Sequence, residues 1–243
     1  MKKLSFHNPL DEPKGDTSKA VNNAISSPGI RRRKALLFQL IVEIMILAFS
    51  ILTLFVLTGA TSSIDLYITK GLQSINNPIF SWVMTSLSWP GYSPQCFIIT
   101  LIIIVSIYAL GFHWEATASL IASVIVELLN LIIKTLVHRA RPSSNLIHVY
   151  NLLNSYSFPS GHVMFYTGFF GFICFLTFTL LKPSWIRDLL LIVLGSAVAL
   201  IGLSRICLGE HWASDVVGAY LLGGICLIGF IYFYRWGKLR FFI

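Results

Sequence analysis

The feature that most constrains this chain is a succession of apolar runs, most about 20 residues long and poor in charge. Wound as a helix, a run of that length matches the hydrocarbon core of a bilayer, and a helix satisfies its own backbone hydrogen bonds where no water can. Six such runs lie at about residues 35–57, 97–112, 116–137, 163–181, a fifth ending near Ser204, and 216–236. The expected fold is all-α, a six-span transmembrane helix bundle. Hydrophobic residues make up 56% of the chain and charged ones 12%, with a mean hydropathy of +0.77, which places it in the membrane class.

Residues 1–33 are polar, with Pro9, Pro13 and Pro28 and little apolar periodicity. A disordered cytoplasmic tail is expected there, ahead of a membrane domain at 34–243. Glu43, inside the first run, is an intramembrane acid and so a functional candidate, unless it only reaches for the interface or a neighbouring helix. In the connection at 59–95, Ile64, Ile68, Leu72 and Ile75 share one helical face, as do Ile79, Val83 and Leu87. With Trp82, Trp89 and Tyr92 suited to the headgroup belt, two short extracytoplasmic surface helices are expected.

The net charge of +8 is topogenic rather than a nucleic-acid surface, because much of it flanks the apolar runs. Lys and Arg number eight up to Lys34, two in the Lys182/Arg187 turn and three at the C-terminus, against five elsewhere: Lys70, Lys134, Arg139, Arg141 and Arg205. The richer side is cytoplasmic by the positive-inside rule, which puts the polar stretches described next on the extracytoplasmic face. Cys96, Cys174, Cys207 and Cys226 have neither CxxC spacing nor a histidine cluster, so no metal site is expected.

Three polar stretches carry the chemistry. In the first, Lys134 and Arg141 are two helical turns apart, and Pro142 splays Arg141 from the axis; interfacial snorkelling is the plain alternative, and it suits His138 and Arg139 well. Glu127 and Asn130 share the Lys134 face, which should look into the bundle or a cleft. The second, Ser157-Phe158-Pro159-Ser160-Gly161-His162, opens the fourth span. Ser160 can cap that helix, and free backbone N–H groups near Gly161 form an anion site beside His162. In the third, from Ser204-Arg205 to Asp215, a helix beginning after Gly209 would set His211 and Asp215 at i and i+4. A salt-bridged interfacial loop is the bland reading of that stretch.

Lys134, Arg141 and Arg205 with backbone donors suit a compact, multiply charged oxyanion, of which phosphate is the commonest. His211 is then a nucleophile toward phosphorus, Asp215 fixes its tautomer, and His162 protonates the departing oxygen. The cations supply the neutralisation that Mg²⁺ gives elsewhere, so neither metal nor other cofactor is expected.

The order Lys-x6-Arg-Pro, Pro-Ser-Gly-His and Ser-Arg-x5-His-x3-Asp resembles the type 2 phosphatidic acid phosphatase superfamily, which includes soluble haloperoxidases. All three motifs match: Lys134 to Arg141-Pro142, Pro159 to His162, and Ser204-Arg205 with His211 and Asp215. The resemblance implies a six-helix core, a phosphohistidine on His211, His162 as acid, and Lys134, Arg141, Ser160, Gly161 and Arg205 on the phosphate. The spans point to the lipid phosphatase branch, in a bacterial plasma membrane, with a lipid phosphate and the bilayer as partners and no nucleic acid. Phosphatidate, phosphatidylglycerol phosphate, undecaprenyl diphosphate and a soluble phosphoester all remain open, because the motifs read only the phosphate. A non-catalytic lipid-phosphate binding or transport protein would use the same cations but has no need of a histidine–acid pair. The Phe-rich fourth span (Phe165, Phe169, Phe170, Phe172, Phe175) is read either as a wall for the lipid tail or as lipid-facing bulk.

Overall fold

The computed structural model describes residues 28–241, and the greater part of the expected tail lies outside them. Eight helices follow in order among the described residues: α1 (Pro28–Leu57), α2 (Ser62–Gln73), α3 (Pro78–Ser88), α4 (Gln95–Ala109), α5 (His113–Val137), α6 (Gly161–Leu180), α7 (Trp185–Cys207) and α8 (Ala213–Phe241). The expectation of an all-α bundle holds. Five of these helices are each long and apolar enough to cross a membrane: α1, α5, α6, α7 and α8.

The second span departs from expectation. Helix α4 has 15 residues, about 22 Å of rise, which is short of a bilayer core of about 30 Å. It meets the length and composition of a span only together with α3, from which it is bent by 64° at residues 92–94. The helix expected to lie on the surface is thus joined to α4 as one half of a bent pair. Ser88, at its end, shares a hydrogen bond of 2.6 Å with Ser204 of α7, whose hydroxyl also reaches the Met84 carbonyl at 2.5 Å. Helix α2 differs too. The residues it buries most deeply are polar, Asp65 and Thr69, while Ile64 on the expected apolar face is 63% exposed.

Helix α6 is the axis of the bundle. Phe165, Phe169, Phe170 and Phe172 are buried against Val126 of α5, Ile201 of α7 and Phe230 and Tyr234 of α8. They form the core rather than lipid-facing bulk, and of the four Phe165 also lines an apolar groove between α4 and α5. A π-helical turn at Tyr166–Phe170 widens α6 just past the second motif, and Tyr166 donates from there to the Leu87 carbonyl of α3 at 2.7 Å. By contrast α1 is mostly exposed and leans on α8, as suits a peripheral helix whose apolar side chains face lipid; Glu43 lies on its exposed surface.

Helices approach closely where a side chain is missing. A Cβ on Gly218 of α8 would stand 2.6 Å from the Phe158 ring, and one on Gly202 of α7 would stand 2.5 Å from Val216. At the far end from the motifs, buried Glu115 accepts from Tyr234 at 2.9 Å and from Lys238 at 2.5 Å, pinning α5 to α8.

Candidate active site

The three polar stretches meet at one end of the bundle. Helix α5 stops at Val137, where His138 takes a left-handed conformation (φ 52°), four residues before Pro142 requires it. Arg141 therefore shares a side with Lys134 through the loop rather than through helical phase. Its Nη1 donates to the Glu210 carbonyl at 2.7 Å and lies 3.1 Å from His211 Nε2, while Nε and Nη2 hold Ser155 at 2.7 and 2.9 Å. Lys134 donates to the Tyr156 carbonyl at 2.5 Å, beside the pocket. Of its expected face-mates, Asn130 is buried and donates to the Pro159 carbonyl at 3.2 Å, while Glu127 is exposed along an apolar groove between α4 and α5.

His211 is buried at 1% exposure just before α8. Its Nδ1 is 3.4 Å from Asp215 Oδ2, long for a hydrogen bond, and the ring also hydrogen-bonds the Ser157 carbonyl. A guanidinium only donates, so the 3.1 Å approach of Arg141 makes Nε2 the acceptor and leaves the proton on Nδ1. Burial first, and then the cations Arg141, Lys134 and Arg205, hold the His211 pKa well below the usual histidine range. The ring is neutral, with its Nε2 lone pair toward the Arg141 guanidinium. Burial, followed by Arg205, likewise lowers Arg141 to about 10, still a cation near neutral pH.

Ser160 is not the side-chain cap expected; its backbone N–H donates to the Asp215 carbonyl at 3.2 Å, and its hydroxyl is buried without a partner. Gly161 packs on Asn130, whose Oδ1 would stand 3.2 Å from an added Cβ. The His162 ring meets Tyr92 edge-on, centroids 4.7 Å apart, and its Nε2 is buried and unpartnered. Arg205 is fully buried: Nη1 donates to Ser88 at 3.0 Å and Tyr92 at 2.9 Å, Nη2 pairs with Glu210, and Nε is free. Ser160 Oγ, His162 Nε2 and Arg205 Nε are half of the buried polar side-chain atoms without partners among the described residues. An oxyanion in this pocket would satisfy such groups, and leaving them unpaired carries a desolvation cost.

A second tier of residues escaped sequence reasoning. Arg139, expected to snorkel, instead lies between Asp215 at 2.5 Å and Asp65 of α2 at 2.6 Å. Ser157 donates to Asp215 Oδ2, which also accepts from the Trp212 N–H at 2.9 Å. Tyr92, at the α3–α4 bend, donates to Glu210 at 2.5 Å, and Asn151 reaches the same oxygen at 3.2 Å. The one available signal was Glu210 itself, an acid beside the motif histidine.

Comparison with known proteins agrees with this geometry. Residues 112–239 match the model of the PAP2 superfamily. Phosphatidylglycerophosphatase B of Bacillus subtilis (strain 168) is 32% identical over 183 residues, covering 74% of this chain and 87% of its own length. The crystal structure of a transmembrane PAP2 type phosphatidylglycerolphosphate phosphatase from Bacillus subtilis superposes with a TM-score of 0.71 at 28% identity, over 82% of this chain and 98% of that one. Aquifex aeolicus LpxE, at 21% identity and a TM-score of 0.51, over 69% of this chain and 94% of that one, shares the fold. With more than half of its residues matched by the family model, the chain belongs to the PAP2 superfamily of type 2 phosphatidic acid phosphatases and is one of its membrane lipid phosphatases.

Proposed function

We propose that this phosphatase removes the terminal phosphate of a glycerophospholipid, with phosphatidylglycerol phosphate as the foremost substrate, through a phosphohistidine on His211. The observation that carries the reading is the neutral His211, its Nε2 beside Arg141, at the end of the bundle where Ser160 Oγ, His162 Nε2 and Arg205 Nε are buried without partners. Lys134, Arg141, Arg205 and the N–H groups at Gly161 hold the phosphoryl oxygens. The Nε2 lone pair attacks phosphorus, the P–O bond to the lipid breaks, and His162 gives its proton to the departing oxygen. Water then yields a proton to His162 and attacks phosphorus, the P–N bond breaks, and inorganic phosphate leaves. His211 carries positive charge while phosphorylated, and the Asp215 carboxylate offsets it.

Two further features support a lipid substrate. An apolar groove of about 360 Å³ runs between α4 and α5, lined by Cys96, Phe97, Leu101, Ser123, Glu127 and Phe165. Phe165 is three residues past His162, so a chain lying in the groove leads to the site. The named relatives from Bacillus subtilis favour phosphatidylglycerol phosphate over an isoprenoid diphosphate. The Lys/Arg distribution supports a site on the extracytoplasmic face of a bacterial plasma membrane. The test is phosphate release by purified protein from a micellar panel of phosphatidylglycerol phosphate, phosphatidate, undecaprenyl diphosphate and glucose 6-phosphate. Phosphatidylglycerol phosphate should have the highest kcat/KM, with no release by His211→Ala; a higher value for glucose 6-phosphate would overturn the lipid assignment.

A further inference from the structure

We propose that Arg139 is a positioning residue which, with Asp65, restrains the Asp215 carboxylate through the oxygen that does not face His211. The guanidinium is 10% exposed and its two ends go to two different carboxylates. Nη1 reaches Asp215 Oδ1 at 2.5 Å and Ser214 Oγ at 2.7 Å; Nη2 reaches Asp65 Oδ2 at 2.6 Å and Thr61 at 3.1 Å. Asp65 in turn accepts the Ser214 N–H at 2.8 Å and its hydroxyl at 2.7 Å, so it grips α8 at the residue before Asp215. Arg139 and Asp215 lie within the family-matched residues, whereas Asp65 lies outside them.

A simple buried ion pair needs one carboxylate. Here two share one guanidinium, and the planar fork holds both, which a lysine could not reproduce. The consequence falls on His211. Asp215 Oδ2 already receives Ser157 and Trp212, and with Oδ1 fixed by Arg139 the carboxylate cannot turn to close its 3.4 Å gap to Nδ1. A closer, undivided carboxylate would raise the proton affinity of His211 and remove the lone pair that attacks. Arg139 thus keeps the nucleophile aligned and unprotonated, while Asp65 offsets part of the Arg139 charge. The other groups acting on His211 are Lys134, Arg141, His162, Arg205 and the Ser157 backbone; none of them hydrogen-bonds the Arg139 guanidinium, and Ser157 meets Arg139 only through its N–H, which donates to the Arg139 carbonyl at 2.8 Å.

The inference rests on His211 as the nucleophile. Its test is the pH profile of kcat/KM on micellar phosphatidylglycerol phosphate for Arg139→Gln, Asp65→Asn and Arg139→Lys, beside wild type and His211→Ala. Arg139→Gln should lower kcat about 100-fold, with KM within about threefold, and move the acid limb up by about one pH unit, because a cation is removed and Asp215 is freed. Asp65→Asn should move the limb the other way, because the whole Arg139 charge then acts on Asp215. Arg139→Lys should recover the limb but not the full kcat. Should Arg139→Gln fail to fold, the other two variants decide: a downward limb for Asp65→Asn with a near-normal limb and lowered kcat for Arg139→Lys supports the proposal. An unmoved limb in Asp65→Asn, or limbs moving the same way in Asp65→Asn and Arg139→Gln, overturns it. Wild-type turnover that persists in His211→Ala would instead remove the reading beneath it.

Discussion

At His211 the controlling quantity is protonation. Burial and three cations depress its pKa, so the acid limb of kcat/KM should lie below the ordinary histidine value of about 6.5. The same shift has a sign for stability. Between the depressed folded pKa and about 6.5, the unfolded chain binds a proton that the folded chain does not, so stability is complete above about 6.5 and falls as pH drops below it. Melting temperature against pH checks this, and a melting temperature that rose on acidification from pH 7 to 5 would contradict it. His211→Ala, His162→Ala and Arg205→Ala should each cost on the order of 100-fold or more in kcat. Turnover should persist in EDTA and be inhibited by vanadate, since the proposed mechanism has cations hold the phosphoryl group; a strict divalent-metal requirement would contradict that. The eight motif residues were legible because they match three motif patterns, although Arg141 reaches its place through the loop rather than by helical phase and Ser160 does not cap α6 with its side chain. Arg139 and Tyr92 were not, because their meaning depends on partners 74 residues away at Asp65 and 113 away at Arg205. A lone arginine near a helix end looks like an interfacial charge until its second carboxylate is found.

Among the elements, the bent α3–α4 pair contributes most that sequence periodicity could not reveal. Its apolar residues announce a helix, but the bend at residues 92–94 brings Ser88 and Tyr92 onto Arg205 and Gly91 onto the His162 ring. Tyr92→Phe keeps the ring against His162 and removes one hydroxyl shared by Arg205 and Glu210. It should lower kcat/KM about 10-fold, the scale of a hydrogen bond to a charged group, with a melting temperature close to wild type. An unchanged kcat/KM would show that the hydroxyl does not position Arg205. Helix α6 stayed ambiguous for a related reason: an aromatic-rich apolar run is equally consistent with lipid contact, a wall for a lipid tail and a bundle axis, and only the packing of α5, α7 and α8 around it decides. Gly218 of α8 lies against Phe158 in the second motif. Gly218→Leu should therefore destabilise the fold by about 1–3 kcal/mol and disturb activity, measured as detergent-solubilised melting temperature and kcat.

For the whole molecule, the span count and the charge bias predict that the site faces outside the cytoplasm. Single cysteines at positions 150 and 182, in a background lacking the native four, should be labelled by an impermeant reagent at 150 and spared at 182; the reverse pattern would invert the topology. The α4–α5 groove predicts that Ser123→Trp lowers kcat/KM on long-chain lipid phosphate about 10-fold or more while sparing a short-chain analogue. The account's central claim is covalent, and trapping tests it most directly. Rapid alkaline quench of enzyme mixed with phosphatidylglycerol phosphate labelled in its terminal phosphate should yield acid-labile label on the peptide containing His211, formed and lost at rates that match turnover. Turnover of the labelled lipid with no protein-bound label at any time, or label on a peptide lacking His211, would contradict it.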